Sequence, residues 1–247
     1  MQARPAGALE LWCVDTRAAG PALHAIERSV PLLSDWERHR AATFADPAQA
    51  EEWLAAHIAL RIVLERMLGN AARGVTFARA ALGKPRLDGA PIAFSLSHIP
   101  GLALIALARE GIVGVDVERA RAVRVREPRR TRIEAAGAAL NASDPLPEGG
   151  DARFLQAWVR LEALAKGEGC GVGRLLARLG ISGPSTDQEG DFRARIDGNL
   201  AETQIATIRD VALGEGLFAA VAAGPARAAL EVLRLPASKN ALRELLA

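Results

Sequence analysis

The stretch GLALIALAREGIVGVDVE, residues 101–118, constrains the fold more than any other part of the chain. Two apolar runs flank Arg109-Glu110-Gly111, so the segment predicts two buried strands joined by a tight turn. The second run ends in Asp116 and Glu118. Side chains at i and i+2 of a strand share a face, so a buried strand would aim two carboxylates at one spot. Left uncompensated, the pair is costly and one member tends to hold a proton. Two arrangements relieve it. One is a solvent-exposed strand end with salt bridges to the arginines that follow. The other is a hard divalent cation such as Mg²⁺, which takes one or two carboxylates together with waters and substrate phosphates.

The chain has 247 residues, half of them hydrophobic, enough for one large domain or two smaller ones. No apolar stretch reaches the roughly 18 residues needed to span a membrane. The opening MQARPAGALELW lacks the long apolar core of a secretory leader, and Cys13 and Cys170 make no disulfide framework, so a reducing cytoplasm is expected. The net charge of +2 says little about partners, but residues 119–132, RARAVRVREPRRTR, hold seven arginines. That run lacks interleaved aromatics and the rest of the chain is near neutral, which argues against nucleic acid. It reads either as a solvated basic loop or as a patch that steers an acidic partner.

Along the chain, ALELWCVD (8–15) predicts a first strand. The pattern from Ser34 to Leu68 is helical, with Asp46 as N-cap and Pro47 in the first turn of the second helix. Strands are expected near 75–81, 91–96, 102–108 and 112–118. The stretch 133–151 is ragged, with AAGAAL as a short helix. A strong helix spans 152–169, and strands follow near 191–197, 203–209, 216–223 and 229–234. The order suggests an α+β protein of two similar halves, 1–115 and 116–247.

Glu162 and Lys166 lie i, i+4 on the predicted helix and share a face. As a surface pair they would contribute a few tenths of a kcal/mol. The glycine-rich GEGCGVG that follows (167–173) is not a dinucleotide fingerprint, which must follow a strand and open a helix. It reads as a helix cap and a mobile connection. FSLSH (94–98) ends a strand with Ser97 and His98, and GKP (83–85) offers Lys84 as a phosphate contact or a solvated turn residue. His57 reads as a packed or surface histidine.

Taken in order, GKP, FSLSH, GVDVE and WVRLEALAK resemble the signature of the Sfp-type 4′-phosphopantetheinyl transferases: G-K-P, F-(N/S)-x-S-H, G-(I/V)-D-x-E and W-x-x-K-E-A-x-x-K. The resemblance covers about Phe44 to Gly171. It implies two α+β halves related by a pseudo-twofold axis, with the active site in the cleft between them. The implied reaction moves the 4′-phosphopantetheine arm of coenzyme A to a serine of an apo acyl or peptidyl carrier protein. Adenosine 3′,5′-bisphosphate is released, and Mg²⁺ is required. By the same resemblance Asp116 and Glu118 hold the metal. Glu162 completes its shell or acts as base, and Lys166 stabilises pyrophosphate oxygens. Ser97 and His98 contact coenzyme A phosphates, and Lys84 contacts the nucleotide end. Arg40, for the 3′-phosphate, and Arg61 match basic positions. A monomer is expected. Three features depart from the pattern: Leu161 stands where the motif has lysine, Glu51 and Glu52 stand where relatives are often basic, and 133–151 lacks an aromatic-rich helix. Two other functions compete: a non-catalytic module that binds coenzyme A or a carrier, and a Mg²⁺-dependent phosphodiesterase.

Overall fold

Strand β1 (Leu9–Asp15) is buried on both faces almost to its end, as the middle strand of a sheet must be. The structure, a computed structural model, describes residues 9–79, 83–90, 92–181, 192, 194, 196–198, 202–224 and 229–246. It is mixed α+β. The first sheet has the order β4 (Ala93–Ile99), β5 (Leu102–Ala108), β1, β9 (Leu230–Arg234). β1 runs antiparallel to β5 and parallel to β9. The second sheet has the order β6 (Ile112–Arg119), β8 (Leu217–Gly224), β7 (Thr207–Asp210). A short hairpin, β2 (Ala78–Arg79) with β3 (Pro85–Arg86), stands apart.

Period-two patterning stacks these elements into four layers. Trp12, Val14, Ile105 and Leu107 pack with the helices α1 (Thr16–Ser29) and α3 (Pro47–Leu68). Leu9, Leu11, Leu104 and Ala106 meet Val113, Val115, Val117, Ala219 and Val221 of the second sheet. Ala220 and Ala222, on the opposite face of β8, pack under α5 (Gly150–Glu168). α4 (Glu127–Leu140) and α6 (Val172–Arg178) flank α5. In β6 the valines at 113, 115 and 117 therefore face the first sheet, and the residues between them face α5.

Helix starts follow local chemistry. Ser34 and Glu37 form a reciprocal capping box on α2 (Asp35–Ala42), and Asp46 caps α3. Helix α1 falls where the sequence reading placed no element, and it contains Pro21. Yet Asp15 Oδ1 accepts from the backbone N–H groups of Arg17 and Ala18 at 3.0 and 2.9 Å, and Ala19, Leu23 and Ile26 supply a buried stripe. The strand expected at 191–197 is corrected: its described residues are helical. Phe192 and Ile196 lie four apart, and both are buried in the core around α5. The strand near 75–81 shrinks to β2, with 80 and 81 outside the described residues. AAGAAL is the end of the longer α4, which takes up the last six residues of the arginine run. GEGCGVG caps α5 with left-handed Gly169, as expected, but in place of a mobile connection it opens α6 after Gly171. The boundary at 115/116 falls inside β6, and β9 and the helix Lys239–Leu245 return to the first half, where Leu242 joins the core under α1 and α3. No described helix is long and apolar enough to cross a membrane.

Candidate active site

The site begins with a close approach of two elements. A Cβ at Gly114 would lie 2.0 Å from the carbonyl oxygen of Ala163 and 2.4 Å from the nitrogen of Gly167. Only glycine lets α5 lie this close on β6. The contact sits two residues before Asp116 and at the last turn of the helix that carries Glu162 and Lys166. Lys166 Nζ donates to Asp116 Oδ1 at 2.7 Å and to Ser97 Oγ at 3.0 Å. Ser97 Oγ in turn donates to Asp116 Oδ1 at 2.8 Å. Strand β4, strand β6 and helix α5 thus meet in one partly buried hydrogen-bonded set.

Glu162 is half-buried beside this junction and has no hydrogen-bond or ion-pair partner among the described residues. Burial raises its pKa, and the carboxylates of Asp116 and Glu118 raise it further, against the pull of Lys166. Glu118 sits near the surface in a salt bridge with Arg121, whose Nη2 lies 3.3 Å from Oε1. Three carboxylates in mutual repulsion are a donor set of hard oxygens that suits Mg²⁺. Among the described residues no group of three His, Cys, Asp or Glu is arranged as a metal cage. The fit is to an open site in which Asp116 and Glu118 would be the protein ligands, with Glu118 exchanging Arg121 for the ion.

Beside the junction opens a cleft of about 540 Å³, walled by α2, α3, the β2–β3 hairpin, β4 and the end of α5. Arg40, Lys84, His98 and Lys166 line it, so four of the expected positions converge on one space. Arg40 Nη1 donates to Thr43 Oγ1 at 2.9 Å, and its guanidinium stands 5.1 Å from the Phe44 ring. Burial lowers the pKa of His98, the nearby Lys166 lowers it further, and Glu52 opposes both. Lys84 donates to the carbonyls of Val113 at 2.7 Å and Gly167 at 3.0 Å, and burial pushes it down to about 8.

Arg61 is a correction. It is 1 % exposed and lies behind the cleft wall. Its Nη2 donates to Glu37 Oε2 at 2.6 Å, its Nη1 to the Ala72 carbonyl at 2.6 Å, and its guanidinium lies 3.8 Å from the Phe77 ring. None of its groups is left to contact a nucleotide. Sequence reasoning also gave His57 too small a place. It lines the cleft, stacked on Trp53 with ring centroids 3.6 Å apart, and burial holds it down to about 4. The i, i+4 spacing of Trp53 and His57 is the signal that both face one way.

Fold and site together define an α+β protein in which a basic cleft opens beside an acidic, lysine-bridged junction. Such a chain resembles the 4′-phosphopantetheinyl transferases, and comparison with curated proteins finds the same likeness. It is 28 % identical over 148 residues to a Synechocystis sp. protein provisionally named a 4′-phosphopantetheinyl transferase. The match covers 57 % of this chain and 58 % of that protein, so the chain spans less than two thirds of the relative's length. No family model matches the chain.

Proposed function

We propose that the protein transfers the 4′-phosphopantetheine arm of coenzyme A to a serine of an apo carrier protein, with Mg²⁺ as cofactor. The observation that carries this reading is the Lys166–Asp116–Ser97 junction beside a cleft lined by Arg40 and His98. Cations in the cleft suit a ligand with several phosphates. Lys166 bridges cleft and junction, so it is placed to hold a pyrophosphate oxygen. Glu162, unpartnered and with a raised pKa, is a stronger base than an ordinary carboxylate and suits removal of the serine proton, directly or through one water. The serine oxygen then bonds to the phosphorus that bears the pantetheine arm. The pyrophosphate bond breaks, and adenosine 3′,5′-bisphosphate leaves. Bound Mg²⁺ would neutralise charge on the pyrophosphate.

The test incubates the protein with coenzyme A and Mg²⁺, with and without an apo carrier, and follows carrier mass and bisphosphate release. Phosphopantetheine mass on the carrier supports the reading, and Asp116→Ala abolishes it while the protein stays folded. Bisphosphate without carrier would mean hydrolysis, and neither product would mean a binding module. Either result overturns the proposal.

A further inference from the structure

We infer that Lys84 is a positioning residue, whose ammonium clamps strand β6 to helix α5 and so fixes Asp116 relative to Glu162 and Lys166. The geometry is direct. Lys84 Nζ donates to the carbonyl of Val113 on β6 at 2.7 Å and to that of Gly167 on α5 at 3.0 Å. β6 is an outer strand of its sheet, with no strand paired on its other edge among the described residues. Gly167 lies in the last turn of α5, where carbonyls run out of intrahelical donors and a cation is favoured by the helix dipole. One ammonium answers both carbonyls.

The clamp sits where the two elements come closest. Val113 precedes Gly114, and Gly167 is, with Ala163, what a side chain at 114 would strike. The Lys84 stem packs on the α5 cap, for a Cβ at Gly169 would lie 3.2 Å from Lys84 Cβ. Removing the clamp therefore loosens the strand three residues from Asp116 and the helix next to Lys166. Two of the three ammonium hydrogens are engaged with backbone, so holding the site, rather than gripping the nucleotide, is the residue's main task.

The kinetic consequence rests on the proposed transfer reaction, but the clamp itself does not. The experiment uses the full chain, with Lys84→Met, which keeps the stem and removes the donors, and Lys84→Arg, which keeps charge and donors. Amide hydrogen exchange is read at 113–116 and 164–168 without ligand. Coenzyme A affinity is read by calorimetry with Mg²⁺, and transfer under single turnover. In Lys84→Met both segments exchange about tenfold faster. Transfer falls roughly ten- to a hundredfold, while coenzyme A affinity changes by less than about threefold. Lys84→Arg recovers part of the protection and part of the rate. Unchanged exchange in folded Lys84→Met overturns the clamp, as does an affinity loss as large as the rate loss. Should Lys84→Met not fold, Lys84→Gln is read against the same outcomes. If the parent neither binds coenzyme A nor transfers, the functional reading falls, and exchange still decides the clamp.

Discussion

Helices α3 and α5 solve the same problem and then diverge. Each carries one wholly buried arginine, Arg61 at 1 % and Arg160 at 0 % exposure. Each arginine grips one carboxylate through two nitrogens: Glu37 at 3.2 and 2.6 Å, Asp210 at 2.7 and 2.6 Å. Each also donates to backbone carbonyls, of Ala72 in one case and of Gly137 and Asp144 in the other. Both are internal bolts that tie a long helix to distant chain. On α3 the neighbouring charges are answered as well, with Glu65 bonded to Arg73 and Arg66 to Glu10. On α5 Glu162 is left facing Asp116 and Glu118, and its pKa rises. Perturbed, unanswered charge marks the face available for chemistry, and satisfied charge marks scaffold.

The largest effect expected is on the bolts. Arg61→Met leaves the buried carboxylate of Glu37 unpaired and costs about 3–5 kcal/mol, and Arg160→Met, whose partner Asp210 is partly exposed, costs about 2–4 kcal/mol, both read by chemical denaturation. If Arg61→Met kept its stability but lost coenzyme A affinity, α3 would be a ligand helix and the contrast would fail. Glu162→Gln reverses the pattern. Transfer drops about 10²- to 10⁴-fold, while stability shifts by about 0.5 kcal/mol or less. A loss below about tenfold would move Glu162 to the structural side. Gly114→Ala should cost about 1–3 kcal/mol by overpacking and lower transfer as α5 is displaced. Measured transfer equal to the parent's would show that the β6–α5 spacing is not critical.

A smaller effect lies in the pH dependence of α3. Burial holds His57 down to about 4, whereas an ordinary histidine titrates near 6.5. Between those values the unfolded chain binds the extra proton, so stability falls as pH drops through the window. In His57→Gln that slope flattens by about 1 kcal/mol or more, seen in denaturation midpoints at pH 7 and pH 4.5. The smallest effect concerns the arginine run. The side chains of Arg124, Arg126 and Arg129 are exposed and have no partner among the described residues, whereas Arg121 pairs with Glu118 and Arg130 with Glu134 and Asp151. Charge reversal at Arg121, Arg124 and Arg126 raises the KM for an acidic carrier several-fold and leaves the KM for coenzyme A nearly unchanged. Added salt weakens carrier use in the parent more than in the variant. Equal salt sensitivity would reduce the run to solvated surface.

Much of this was legible because it is local. The i, i+2 register of Asp116 and Glu118 and the i, i+4 register of Glu162 and Lys166 follow from strand and helix geometry alone. The turn at Arg109-Glu110-Gly111 and the cap at Asp46 are equally short-range. What could not be read depends on distant partners. Arg61 looks like any cleft arginine until Glu37, 24 residues earlier, is seen to hold it. Of the relief routes for Asp116 and Glu118, the fold shows the arginine pairing at Glu118 only, while Asp116 is answered by Lys166, 50 residues away and invisible in the local pattern. The helical residues around Phe192 and Ile196 were hidden by an alternation of apolar and charged residues in the sequence. Only the core they pack against selects the four-residue spacing over the two-residue one.

The pairing of β9 with β1 has a consequence for how the molecule is made. Leu9 lies opposite Leu230, and Cys13 opposite Arg234. A ribosome emits the first of these strands early and the second more than two hundred residues later. At about 5–20 residues per second, the wait is on the order of ten to forty seconds. Until then β1 can pair on one side only, once β5 has emerged, and shows a row of free amides and carbonyls on the other. A nascent chain in that state is a template for any passing strand. The first sheet is therefore the last to be sealed, and shielding that edge during synthesis is a task left to the cell.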